Sequence, residues 1–198
     1  MRPNVRGGRI TAGGLTQFDQ QWSDQARSNF VRELQLHSSQ RDGTADPVDE
    51  TSCDSCDPEA LSAMVLLHNA VGQTILTFKV GYLVLPAKQD AFDWTLGEAA
   101  TRFGEDTGYD YALFTDVSDF RPTGGRVTVE LMSVASCVVG FCAPVFLPYA
   151  NHVAFASLVD LSTGQVVWFN HIDGFVGNAG TEDGARELVE RLMGPMYR

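Results

Sequence analysis

The apolar residues of this chain change their period at Tyr109, and that change limits the architectures open to it. Upstream, Trp22, Ala26, Phe30 and Leu34 recur every fourth residue, which places one apolar stripe on a helix between about Asp19 and His37. A second helix start is written in Asp57-Pro58-Glu59. The Asp side chain can accept from free first-turn amides, Pro loses no hydrogen bond there, and Glu faces the positive end of the helix dipole. Leu61, Met64, Val65, Leu66, Leu67, Val71, Ile75, Leu76 and Phe78 then cover most of the circumference, which predicts a helix buried on nearly all sides. Gly72 is a place for it to bend or end, leaving Ile75 to Leu85 open to becoming a strand. A third, short helix is expected from about Asp93 to Phe103, closed by Gly104 or Gly108.

Beyond Tyr109 the spacing is two. Tyr109, Tyr111, Leu113, Thr115 and Val117 alternate with Asp110, Ala112, Phe114 and Asp116. Pro122-Thr123-Gly124-Gly125 reads as a turn, and Val127, Val129 and Leu131 as a returning strand. A second hairpin has Val153, Phe155, Ser157, Val159 and Leu161 on one face, a turn at Ser162-Thr163-Gly164 and a return from Gln165 to Ile172. Ala185, Leu188, Val189 and Leu192 form a closing helix that stops at Gly194-Pro195. The expectation is a single α+β domain over residues 1–198. In it a four-stranded antiparallel meander, Tyr109 to Ile172, is covered on one face by the helices at Trp22 to Leu34, Leu61 to Leu76 and Ala185 to Leu192.

Charge narrows the partners. The chain carries 14 basic against 25 acidic side chains, a net charge of -11, which repels phosphate backbones and anionic lipid and sets nucleic acid aside as a partner. No run approaches the roughly 20 uninterrupted apolar residues of a membrane span. The stretch at about 38–57 gathers Asp42, Asp46, Asp49, Glu50, Asp54 and Asp57, without the ordered spacing of a calcium loop, and reads as an acidic surface loop. At residues 1–14 no basic region leads into an apolar one, so the chain is either cytoplasmic or an exported protein whose signal is absent from these 198 residues.

Four cysteines form two pairs, Cys53-x-x-Cys56 and Cys137-x-x-x-x-Cys142. Together they have the ligand count of a zinc site, although the second spacing is loose for one. A redox role needs a lowered thiol pKa, and Asp49, Glu50, Asp54, Asp57 and Glu59 oppose that. Disulfides at Cys137/Cys142 across a turn, and at Cys53/Cys56, suit an exported protein; buried free thiols suit a cytosolic one. His37, His68, His152 and His171 occupy no metal-binding spacing, though His152 and His171 lie on strands joined by one turn and are the pair with the best prospect of meeting. No G-x-S-x-G elbow is present, and Ser157 falls in mid-strand. Gly174-x-x-Gly177-x-x-Gly180 matches no phosphate-binding fingerprint and reads as a loop. No catalytic residue and no cofactor site is assigned.

Several segments carry a resemblance. Leu85-Pro86, Phe92-Asp93-Trp94-Thr95-Leu96-Gly97, Asp110-Tyr111-Ala112-Leu113-Phe114 and Ser157-Leu158-Val159-Asp160-Leu161-Ser162-Thr163-Gly164 with Val167-Trp168-Phe169-Asn170 are similar to stretches of proteobacterial periplasmic and envelope proteins, many of them lipoproteins. More distantly the layout resembles small α+β domains of periplasmic accessory lipoproteins. The resemblance implies a periplasmic or outer-membrane-associated, non-catalytic binding or assembly module whose partner is an envelope protein or cell-wall component. Zinc binding through Cys53, Cys56, Cys137 and Cys142, or an enzyme with a dispersed site, are the other function classes left open.

Overall fold

The computed structural model describes residues 1–41, 45–48, 56–80, 85–88, 91–128, 151–174 and 176–197. Their order is β1 (Asn4–Ile10), β2 (Thr16–Phe18), α1 (Gln20–Ser39), α2 (Pro58–Lys79), α3 (Glu98–Thr107), β3 (Tyr111–Pro122), β4 (Asn151–Asp160), β5 (Val166–Asp173) and α4 (Glu182–Met193), with short 3-10 turns at Pro86–Lys88 and Gly194–Tyr197. The helix starts follow the sequence. Asp19 accepts the Trp22 N–H to open α1, Asp57 accepts the Glu59 N–H with Pro58 at the first position of α2, and Thr181 accepts the Gly184 N–H to open α4.

The strands form one five-stranded sheet in the order β2-β1-β3-β4-β5. The class is α+β, as expected, but the sheet is mixed: β1 lies parallel to β3, while the other neighbouring pairs are antiparallel. The second hairpin forms as read. Asp160 Oδ1 accepts from the Ser162 amide at 2.8 Å and the Thr163 amide at 3.2 Å, and Gly164 takes a positive φ of 71°. The first hairpin does not form. β3 ends at Pro122, the Val127 N–H donates to the Thr123 carbonyl, and residues 124–128 are helical. Val129 and Leu131 lie outside the described residues. The neighbours of β3 are instead the distant β4 and the N-terminal β1, a strand built on Val5, Gly7 and the turn Thr11 to Gly14 that sequence spacing did not reveal.

Helices cover both faces of the sheet, which corrects the expected one-sided cover. In β3 the four consecutive residues Phe114 to Val117 are buried, so each face has apolar surface to hide. On one face Phe114, Phe155, Val159 and Phe169 pack with Leu61, Met64 and Ile75 of α2 and Ala100 and Phe103 of α3. On the other, Val5, Val117, Ala154 and Ala156 pack with Ala26, Phe30 and Leu34 of α1 and Leu188, Val189 and Leu192 of α4.

α2 is one uninterrupted helix of 22 residues to Lys79, so Gly72 neither ends it nor releases a strand. Gly72 is a contact point: a Cβ there would lie 2.4 Å from Phe155 Cε2. α3 begins later than expected, at Glu98, and ends at Gly108, whose φ of 72° closes it. By length and mean composition α2 is long and apolar enough to cross a membrane, although its apolar run is interrupted by His68, Asn69 and Gln73. Its stripe of Leu61, Met64, His68, Gly72 and Ile75 is buried within the fold.

Candidate functional site

Because β1 and β3 run parallel, their carboxyl ends lie together, and Arg9, Asp119 and Arg121 are carried there, with His152 of β4 opposite Asp119. The Asp119 carboxylate lies 3.1 Å from His152 Nδ1 and accepts from Arg121 Nε at 3.0 Å and Nη2 at 2.7 Å. The Asp119 side chain is 1% exposed and that of His152 is 5%. Burial drives the carboxyl upward, but the His152 and Arg121 groups outweigh burial and hold it below the usual range. The approach to this cluster is built by α1. The Gly7 N–H donates to Ser23 Oγ at 3.1 Å, and a Cβ on Gly7 would meet the Trp22 ring at 2.0 Å, so only glycine lets the indole lie against β1. A Cβ on Gly180 would lie 2.5 Å from Trp22 Nε1, so the loop read as plain is packed against the same side chain. Between these elements is a cavity of about 420 Å³, lined by Arg9, Trp22, Asp119, Arg121 and Asn178 among others.

His152 and His171 do not meet. Phe155 is the register partner of His171, and His152 projects from the opposite face of β4. A different pair is joined instead: His68 Nε2 lies 2.5 Å from Ser157 Oγ, with the imidazole stacked on Phe114 at 4.1 Å. Both side chains are sealed in the core, His68 at 2% and Ser157 at 0% exposure. Burial pushes the His68 pKa from 6.5 to about 4, against a weaker opposing hydrogen bond with Asn69. The geometry is that of a satisfied core histidine with no access for substrate. His37 is buried at the last turn of α1.

Of the cysteines, Cys56 alone lies among the described residues, packed against the core beside the start of α2. Cys53, Cys137 and Cys142 lie outside them, and so do the pairings and the zinc site proposed for the four. Among the described residues no group of three or more His, Cys, Asp or Glu side chains is placed to hold a metal.

The second surface feature is the outward side of α2. Ala63, Leu66, Leu67 and Ala70, spaced three and four apart, are exposed, Leu66 at 67% and Leu67 at 40%. The helix therefore has two apolar stripes, one in the core and one turned outward, and is not buried all round. Between α2 and β1 runs a groove of about 610 Å³ in which Leu61, Val65 and Leu66 face Arg2, Arg6 and Arg27, with no acidic side chain among its described lining residues. At its base Arg6 pairs with the buried Asp116 at 3.1 Å.

No protein-family model matches the chain, and no curated protein does. Among solved structures, the crystal structure of lipoprotein GNA1162 from Neisseria meningitidis is similar at 12% identity and a TM-score of 0.30, over 86% of this chain and 78% of that one.

Proposed function

We propose that this protein is a non-catalytic binding or assembly module of the bacterial envelope, exported in its natural form, that works by seating the outward stripe of α2 on another envelope protein. The observation that carries the reading is the exposure of Leu66 and Leu67 on a helix whose other side is already satisfied by the core. Exposed apolar side chains at i, i+3, i+4 and i+7 are the pattern by which a helix fills a groove on a partner. With a net charge of -11 the chain is a poor match for an anionic lipid surface, so a protein surface is the occupant. Export is supported by the paired cysteine spacings and by the resemblance of the hairpin and Trp94 segments to periplasmic proteins.

The test is a Leu66→Ser/Leu67→Ser double variant. Because both side chains are exposed, the stability of the isolated protein should stay within about 0.5 kcal/mol per site of the parent, while chemical crosslinking to its envelope partner is lost. A variant that crosslinks to the same partner as efficiently as the parent contradicts the reading.

A further inference from the structure

The cleft at the carboxyl ends of β1 and β3 holds an arrangement that contact through α2 does not use. Parallel register places Arg9 beside Arg121 on the same face of the sheet, and both line the cavity of about 420 Å³. Like charges on neighbouring strands repel, and in a chain with 25 acidic side chains such a juxtaposition has many alternatives. Arg121 is held by Asp119, whereas Arg9 is exposed and makes no ion pair among the described residues. The two carboxylates of the cleft are both engaged: Asp119 lies buried beneath Arg121, and Asp19 Oδ1 accepts the Trp22 N–H at 3.0 Å to cap α1. Arg9 is therefore the cation of the cleft left without a counter-ion among the described residues, with the Trp22 indole beside it and Asp19 part-buried at the start of α1. A concave site with a few convergent polar groups is the kind of place where small ligands bind.

We propose that this cleft binds a small organic anion, its oxyanion head between Arg9 and Arg121 and its body against Trp22. An oxyanion accepting from both guanidinium groups replaces their repulsion with charge-assisted hydrogen bonds. Asp119 and His152 act as positioning residues that fix Arg121. Carboxylates and phosphates share this head chemistry, and the test separates them.

The full chain is titrated calorimetrically with benzoate, acetate and inorganic phosphate, with tryptophan fluorescence followed in parallel. Saturable binding at one site is expected, tighter for benzoate than for acetate because the ring meets Trp22. Arg9→Ala should weaken it about tenfold or more, the loss of a charge-assisted hydrogen bond, and Arg9→Lys should restore part of it. Phosphate binding more tightly than both carboxylates assigns the head to a phosphoryl group, and the reverse order to a carboxyl group. Absence of saturable binding by all three anions, or unchanged affinity in Arg9→Ala, overturns the proposal. The Leu66→Ser/Leu67→Ser variant should bind the anion as the parent does, so the two proposals succeed or fail separately.

Discussion

A histidine buried among aromatic rings makes folding depend on pH, and His68 is placed to do this. Above pH 6.5 its imidazole is neutral in both the folded and the unfolded chain. Between 6.5 and about 4 the unfolded chain takes up a proton that the folded one refuses. Stability is therefore fully present above 6.5 and falls as the pH falls toward 4, by about 3 kcal/mol for a displacement of this size. Urea midpoints at pH 7 and pH 4.5 should differ less in His68→Gln than in the parent; equal differences would exclude His68 as the source. At the other buried ionisable cluster, Asp119→Asn removes the carboxylate that faces both His152 and Arg121. Breaking such a buried network should cost about 3 kcal/mol in urea unfolding, and a loss within a few tenths of a kcal/mol would show the cluster to be dispensable for folding. Neither cluster was legible from spacing. His68 and Ser157 are 89 positions apart, and Asp119 meets His152 only because β3 and β4 pair in that register.

The elements that could be read locally are those with local chemistry. Asp19, Asp57-Pro58 and Thr181 mark their helix starts, and the Asp160 to Gly164 turn marks its hairpin, because each uses hydrogen bonds within a few residues. β1 was hidden because its core-facing positions include Gly7, kept free of a side chain for Trp22, so its alternation has no apolar residue there. The pairing expected between β3 and the segment after Gly125 failed for a related reason: alternation at Val127 does not specify a pairing partner, and the partner of β3 on that side is 112 positions away in the chain at Asn4 and Asp116. Gly72 separates the local rule from the tertiary one. Helix propensity alone favours Gly72→Ala by about 1 kcal/mol, but the added Cβ would press on the Phe155 ring, which is 0% exposed and packs on Phe169 and His68. The expected outcome is a net loss of about 2 kcal/mol in urea unfolding; a stabilised variant would mean that α2 can draw away from the sheet.

Across the whole molecule, the change of period at Tyr109 correctly indicated a chain of helices and a sheet, but not how they are layered. The continuous burial of Phe114 to Val117 requires cover on both faces, and α2 takes one face while α1 and α4 take the other. That division leaves α2 with an apolar side that the fold does not consume, and the proposed function rests on that side. Site-specific photocrosslinking in cells of origin tests it most directly, with the reactive group placed in turn at positions 63, 66, 67 and 70 of α2 and, as controls, at the exposed Gln17 and Tyr109. The account predicts a discrete product of one size in the envelope fraction from the four α2 positions and none from the controls. No product at any α2 position, or equal products at all six, would contradict it.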